Sequence, residues 1–171
     1  MTGLKINYNK SVLIGVNCSN EEVELACKML GCKNGSLPMN YLGIPLGANP
    51  RRIETWKPVI RKVEDRLKGW KSRYLSKAEK LVLIKAVLNN LPMYYLNLFK
   101  MPKAVATKIT SLQSRFFWEK SDGMKGMAIV SWSLIQKPKS HGGLGVGDLV
   151  LTNAALLFKW WWYFDKKECP L

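Results

Sequence analysis

The chain has 171 residues, enough for one domain of good size or two small ones, and its hydrophobic content of 47% argues against disorder. Lysine and arginine total 27 against 12 acidic residues, which leaves a net charge of +15 and favours polyanionic partners. Candidates are nucleic acid, an anionic membrane face or an acidic protein, and the apolar stretch 149–164 is too short and too polar to predict a transmembrane helix.

The four cysteines have neither the spacing of a disulfide framework nor that of a zinc site. The single histidine, His141, lies over a hundred positions beyond the one loose cysteine pair. We therefore expect buried free thiols in a reducing compartment and no metal site. Because no secretory segment precedes them, we expect an intracellular protein of the nucleus or cytoplasm that is not secreted. The cysteines are Cys18, Cys27, Cys32 and Cys169.

The N-terminal region predicts short strands followed by one helix. Leu4–Lys10 alternates apolar and polar residues with period two, as a half-buried strand does, and Ser11–Val16 continues as a second extended run. Ser19 and Glu22 have the spacing of a capping box, so we expect a helix that begins at Ser19. Gly31 supplies a suitable stop for it.

A proline-bounded stretch then predicts an edge strand or hairpin around residues 41–44. From Ile53 the apolar residues recur at helical spacing, and Ser76 with Glu79 forms a second capping box that opens a helix ending at Pro92. Three amphipathic helices with short connections predict a small bundle. Their apolar stripes are Trp56, Ile60, Val63, Leu67 and Trp70, then Leu81, Ile84, Leu88 and Leu91, and finally Val105, Ile109, Leu112 and Phe116.

The remaining third is less regular. Ser121–Gly123 predicts a turn, and Ala128–Ile135 predicts a strand or a short helix. Pro138–Gly147 is glycine-rich but lacks the spacing of a phosphate-binding loop, so we favour a plain turn over a phosphate cradle. Asp148 can cap a last helix over Leu149–Phe164. Together the elements predict an α+β fold that is predominantly α-helical, with a basic three-helix bundle and a partly irregular tail.

Most of the positive charge lies in residues 51–125, which hold 18 basic and six acidic residues. A single basic helix usually means only a solvated surface. Three consecutive helices with the same bias favour contact with phosphates over that interpretation. The candidate nucleic-acid-binding residues are Arg51, Arg52, Lys57, Arg61, Lys68, Lys71, Arg73 and Lys77.

The aromatic residues predict packing more than base stacking. Trp56 and Trp70 fall on the first apolar stripe, so we expect them to anchor the core. Phe116–Trp118 are adjacent, so we expect at least one to leave the core face, and Trp160–Trp162 cannot all be buried on one side of a helix. Adjacent carboxylates occur only in helix patterns where neighbours point apart, so we predict no catalytic residue.

Short blocks in order along the chain resemble a known family. The blocks are Gly3–Asn7 with Lys10-Ser11, Tyr41–Gly47, Leu67–Lys71 with Leu75-Ser76, Leu83–Leu88 with Leu91–Tyr94, and Trp132 with Pro138-Lys139, Gly142–Gly145 and Asn153–Leu157. They resemble LINE-type (non-LTR) retrotransposon reverse transcriptases, and the blocks within residues 67–94 resemble the thumb region of the plant members. The resemblance runs from about Gly3 to about Phe164, and the order of the blocks makes it specific.

The resemblance implies an enzyme family of RNA-directed DNA polymerases but a chain that is inactive alone. The family's palm aspartates, which hold two metal ions, precede the block that begins at Gly3, so we expect this chain to lack them. No cofactor is expected here, and magnesium is expected only in the intact family enzyme. The implied domains are a palm-end remnant in 1–50, a thumb-like bundle in 51–120 and a connector with a terminal aromatic helix in 121–171.

Two sets of site residues follow from the resemblance alone. Lys10 matches the lysine at the end of the post-catalytic strand, near the incoming nucleotide. Tyr41, Leu42 and Gly43 match the primer-grip turn, which holds the primer end. The thumb helices of the family follow the template–primer duplex, in agreement with the charge of residues 51–125.

Three hypotheses remain in order of preference. The first is a truncated reverse transcriptase that at most binds template–primer nucleic acid, either an RNA–DNA hybrid or an RNA template with a DNA primer. A separate catalytic palm fragment is a further candidate partner, and no small-molecule substrate is expected. The second is an inactive, poorly folding retroelement relic whose strands lack partners. The third is a peripheral binder of anionic membranes through residues 160–164.

Overall fold

The computed structural model describes residues 5–70, 74–120, 124 and 126–166. Within them the chain forms seven α-helices and four short strands, so the prediction of a predominantly helical α+β fold is confirmed. The chain divides into two compact units, residues 1–49 and 50–171. The assignment of a palm remnant, a thumb-like bundle and a connector stays a prediction, and the predicted turn at 121–123 lies outside the described residues.

The first unit is built around α1 (Asn20–Leu30), which begins and ends where the sequence predicts. The Ser19 hydroxyl accepts a hydrogen bond from the Glu22 backbone N–H at 3.3 Å, and the Glu22 carboxylate accepts one from the Ser19 N–H at 2.8 Å. This complete capping box satisfies donors that would otherwise be left unpaired in the first turn. At the other end Gly31 has φ +66°, the left-handed conformation that ends many helices.

Two small strand pairs complete this unit. β1 (Val12–Leu13) pairs in parallel with β2 (Lys33–Asn34). β3 (Met39–Tyr41) pairs antiparallel with β4 (Ile44–Leu46), which confirms the predicted hairpin. Its two central residues both have positive φ, as the tight two-residue turns that suit the twist of a hairpin require.

The predicted strand over Leu4–Lys10 is wrong. Leu4 lies outside the described residues, and Tyr8–Lys10 forms a single 3₁₀ turn. The backbone N–H groups of Lys10 and Ser11 donate to the carbonyls of Asn7 and Tyr8, both at 3.1 Å. An alternating pattern becomes a strand only where a neighbour offers ladder hydrogen bonds, and here the local turn takes those donors instead.

The second unit is a helical bundle in which α2 (Ile53–Gly69) packs against α5 (Lys103–Trp118). The predicted stripes form its interior, which confirms the periodicity analysis. Val59 and Ala106 add buried positions that the stripes did not include. Two clusters make up this core, one around Trp56, Tyr95, Leu96, Val105 and Ile109, and one around Val63, Ile84, Leu88, Leu112 and Phe116.

The helix predicted from Ser76 to Pro92 is interrupted. Its capping box is confirmed, because the Ser76 hydroxyl accepts from the Glu79 N–H at 3.3 Å and the Glu79 carboxylate accepts from the Ser76 N–H at 2.7 Å. The α-helix α3 (Lys77–Leu83) continues as one π-helical segment, Ile84–Leu88. Pro92 then begins a separate short helix, α4 (Met93–Leu96), instead of ending a long one.

A short helix and a packed turn cover one side of the bundle. Within the ambiguous stretch 128–135 the structure has α6 (Trp132–Gln136), a helix and not a strand. The backbone N–H groups of residues 143–147 all donate to carbonyls of residues 135–138, so the glycine-rich stretch is a closed turn and not a phosphate cradle. A Cβ at Gly143 would lie 2.1 Å from the Lys137 carbonyl oxygen, which explains a glycine there.

The last helix, α7 (Leu149–Asp165), begins as predicted at Asp148, whose carboxylate accepts hydrogen bonds from the Val150 and Leu151 N–H groups. Its buried residues, Leu149 and Asn153, lie in its first two turns, and Leu156 packs against the core one turn later. In the part of the chain that the structure describes, no helix has the length and apolar character needed to cross a membrane.

Candidate nucleic-acid interface

The orientation of α2 is fixed by Trp56. Its side chain is fully buried, its indole N–H donates to the Pro50 carbonyl at 2.9 Å, and its ring lies 5.6 Å from that of Tyr95. Burying this large anchor on the core side turns the opposite surface of the helix to solvent. Trp56 is therefore a core anchor, as predicted. Trp70 is half-buried, and its ring lies 5.5 Å from that of Phe116.

One flank of α2 is a row of exposed cations, which we call the α2 basic flank: Lys57, Arg61 and Lys68. At 1.5 Å of rise per residue these three span about 16 Å along the helix, the length of several nucleotides. Lys57 lies 3.8 Å from Glu54 and Lys68 lies 3.7 Å from Asp65. The side chain of Lys68 is 78% exposed. Ion pairs so exposed contribute little energy, so they leave these lysines available to phosphates.

Lys62 and Arg66 are exposed on the other flank of α2, and Arg51 and Arg52 are exposed where the helix begins. Arg52 is the residue before the first helical turn, and no hydrogen bond from its side chain caps that turn. The predicted binding residues Lys71 and Arg73 lie outside the described residues. The role of each of these side chains in binding stays a prediction.

A groove between α2 and α5 adjoins the α2 basic flank. Its volume is about 550 Å³, and its apolar lining consists of Leu67, Leu112 and Phe116. Lys68 and Arg115 line the same groove from opposite helices, so it offers cationic groups beside an apolar floor. The remaining lining residues are the acidic Glu64 and Glu119, which limit the local positive potential.

Two cations of α5, Lys108 and Arg115, extend this surface, although neither is among the individually predicted binding residues. Lys108 reaches across to Glu64 of α2 at 3.9 Å, and Arg115 lies on the same side of α5, seven residues or about two turns further on. The helical spacing of Lys108 and Arg115 in the sequence was the signal that could have predicted them.

Lys77 is exposed and Lys80 is buried, and the ammonium groups of both form hydrogen bonds within the protein. The Lys77 ammonium donates to the Phe117 carbonyl at 2.6 Å, and the Lys80 ammonium donates to the Glu119 carbonyl at 2.8 Å. Both therefore satisfy carbonyls at the C-terminal end of α5, where the helix dipole favours positive charge. Burial lowers the pKa of both lysines from the ordinary value of 10.5. Nucleic-acid binding by Lys77 stays a prediction.

The expectation that one of Phe116–Trp118 leaves the core is wrong, because all three are buried. The reason is that the bundle is covered on a second side. The Phe117 ring lies 5.9 Å from that of Trp132 in α6, and Phe117, Trp118 and Leu144 line one apolar pocket. A stacking role with bases is thereby removed for these rings.

The residues predicted by family resemblance lie in the first unit. Lys10 is exposed at the end of the 3₁₀ turn. Tyr41 ends β3 with its side chain exposed, and Leu42 and Gly43 form the hairpin turn with φ of +50° and +83°. Their roles stay predictions. Within residues 5–70, 74–120, 124 and 126–166, no group of three or more His, Cys, Asp or Glu side chains could hold a metal ion.

No family model matches the chain. Similar proteins include one of Arabidopsis thaliana that carries the provisional name of a ribonuclease H protein, 32% identical over 109 residues, which are 64% of this chain and 18% of that protein. Another is an uncharacterised mitochondrial protein of the same plant, 36% identical over 70 residues, 40% of this chain and 46% of that protein. The chain therefore spans less than half the length of either relative.

Proposed function

We propose that this chain is the thumb-containing part of a plant LINE-type retrotransposon reverse transcriptase and that it grips template–primer nucleic acid without catalysing synthesis by itself. The observation that carries the proposal is the α2 basic flank beside the α2–α5 groove. The ordered sequence blocks support the family. A relative named as a ribonuclease is in keeping with a nucleic-acid partner. The magnesium and the aspartates that would hold it belong to the rest of such an enzyme.

Binding would begin with the phosphates. Cations spread over about 16 Å on a rigid helix can follow one strand of a duplex over several phosphates, because the helix fixes their spacing. Arg115 and Lys108 add charge from the neighbouring helix. None of these contacts reads a base, so we expect binding that depends on the form of the nucleic acid more than on its sequence.

Neutralising the α2 basic flank tests this proposal. The variant Lys57→Gln/Arg61→Gln/Lys68→Gln should bind a labelled RNA–DNA hybrid more weakly. The slope of log affinity against log salt should also fall by about 2 to 3, because each lost phosphate contact removes roughly 0.9. The measurement is fluorescence anisotropy at several salt concentrations, with circular dichroism to verify the helix content.

The matched control is Lys5→Gln/Lys28→Gln/Lys33→Gln. It removes the same net charge from exposed lysines of the first unit. If binding depends on position, this control keeps most of the affinity and of the salt slope. Equal losses in the two triple variants would mean that only the total charge matters, and the proposed interface would be withdrawn.

A second candidate is an inactive relic that folds poorly, and the first unit favours it. Among its described residues the buried hydrophobic side chains are Val23, Cys27 and Ile44, while Met29 is 79% exposed and Leu42 is 73% exposed. So small a core leaves little apolar burial to offset the loss of chain entropy. A cooperative thermal transition of the whole chain, followed by circular dichroism, would count against this candidate.

A third candidate is a peripheral membrane binder, favoured by the end of α7. Trp161 and Phe164 are exposed there, and the ammonium groups of Lys159 and Lys166 lie 5.2 and 4.6 Å from the ring centres of Trp160 and Trp162. Aromatic rings beside lysines are typical of helices that lie in a membrane interface. Failure to bind vesicles that contain phosphatidylserine would remove this candidate.

A further inference from the structure

The end of α1 brings two cysteines together through its backbone. The helix stops at Gly31 in the left-handed conformation, and the N–H groups of Gly31 and Cys32 both donate to the Cys27 carbonyl, the latter at 3.2 Å. The bond from Cys32 spans six residues and belongs to the Schellman motif. In this motif the residues at the two ends of that bond place their side chains in contact, and here both are cysteines.

The side chains agree with the backbone. Cys27 is buried and Cys32 is half-buried. Burial raises the pKa of the Cys27 thiol, and the charge of Cys32 and a hydrogen bond with its thiol raise this pKa further. The two thiols are therefore neighbours at the end of α1. Cys18 is exposed, so its predicted burial is wrong, and its thiol donates to the Val16 carbonyl at 3.4 Å.

We propose that Cys27 and Cys32 form a dithiol site that closes to an intramolecular disulfide by exchange with a small disulfide such as oxidised glutathione. The Schellman motif already holds the two α-carbons at the end of one helix, so closure needs rotation of the side chains but no new backbone fold. The closed form would tie the end of α1 covalently to the residue before β2.

The exchange has two balanced steps. The Cys32 thiolate, on the more accessible residue, attacks one sulfur of oxidised glutathione, whose disulfide bond breaks and releases one glutathione thiolate. The Cys27 thiol then loses its proton to solvent, and its sulfur attacks the Cys32 sulfur of the mixed disulfide and releases the second glutathione. The two cysteines lose two electrons in total, and oxidised glutathione gains them.

The experiment uses the full chain with Cys18→Ser and Cys169→Ser, which leaves only the proposed pair. The protein is equilibrated with mixtures of reduced and oxidised glutathione, quenched with acid and analysed by intact mass and by mapping of cleaved peptides. The folded chain should form the Cys27–Cys32 disulfide at a concentration of oxidised glutathione about tenfold lower than the unfolded chain in urea requires. The reason is that folding raises the effective concentration of one thiol near the other. Wild type treated alike verifies that the serines do not create the effect.

Two results would overturn the site. One is a glutathione adduct on Cys32 that persists without being displaced by Cys27. The other is closure of the folded and the urea-unfolded chains in the same mixture, which would mean that the fold does not position the thiols. A Cys27→Ser variant gives the reference signal for the adduct, since it has no second thiol to displace the glutathione.

Discussion

At the scale of single residues, Asn153 illustrates how one polar side chain organises the second unit. It is buried, its amide oxygen accepts from the Met101 N–H at 2.8 Å, and its amide nitrogen donates to the carbonyls of Leu96 and Phe99 at 2.8 and 2.9 Å. The Leu96 carbonyl lies at the end of α4, and the Phe99 and Met101 groups lie in the connection between α4 and α5. Asn153 thus fixes α7 to that connection and satisfies polar groups that lack water.

Replacing Asn153 by alanine should lower the free energy of unfolding by about 3 kcal/mol, because each buried group left unpaired costs roughly 1–3 kcal/mol. Urea unfolding measures the change. Leu151→Ala is the matched control, since Leu151 lies on the same helix with its side chain exposed, and it should change stability by less than about 0.5 kcal/mol. Equal stability of the two variants would contradict the role given to Asn153.

Burial of Lys80 should make the free energy of unfolding depend on pH. Burial lowers its pKa in the folded chain below 10.5, so between the two pKa values the unfolded chain binds more protons than the folded chain. The free energy of unfolding therefore rises with pH over that range, and the gain is complete above 10.5. We expect the stability difference, wild type minus Lys80→Met, to increase as the pH of the urea titrations approaches 10.5. A constant or falling difference would contradict this prediction.

At the scale of helices and strands, local signals predicted the boundaries well. The Ser19–Glu22 and Ser76–Glu79 capping boxes and the Asp148 cap each place a helix start correctly, because the hydrogen bonds involved lie within three residues of one another. The Leu42-Gly43 turn likewise depends only on residues that are close in the sequence. Sequence alone therefore predicts these boundaries and the basic character of α2.

What the sequence did not predict depends on contacts distant along the chain. The π-helical segment Ile84–Leu88 shifts the register late in its helix, and Asn89 there donates to the Val146 carbonyl, 57 residues away. Phe117 is buried by α6, and the Lys77 ammonium donates to a carbonyl at the end of α5. Periodicity describes one face of one helix, so it could not show that a second layer covers Phe117 or that a basic residue serves as a cap.

The exposed aromatic residues at the end of α7 should contribute little to the stability of the protein. Trp161 and Phe164 are 72% and 73% exposed, so the variant Trp161→Ser/Phe164→Ser should change the free energy of unfolding by less than about 0.5 kcal/mol. Trp160→Phe should cost about 1 kcal/mol, because it removes the indole N–H that donates to the Asn97 carbonyl at 2.8 Å. A large loss in the double variant, again measured in urea, would mean that this face is covered in solution.

At the scale of the whole molecule, the two units differ in the size of their hydrophobic cores. The second has two hydrophobic clusters, while the first buries few apolar side chains among its described residues. Strong net charge adds repulsion within a compact chain and is relieved when a polyanion binds. A match to only 18% of the length of a longer relative is in keeping with our proposal that the chain serves a larger nucleic-acid enzyme.

The most direct test of the central claim is fluorescence anisotropy of the unmodified chain with a labelled RNA–DNA hybrid over a range of salt concentrations. If Lys57, Arg61, Lys68, Lys108 and Arg115 contact phosphates, log affinity should fall against log salt with a slope of about −4. The hybrid should also be preferred over either free strand. A slope shallower than about −1, or equal binding of hybrid and single strands, would contradict a specific grip on template–primer nucleic acid.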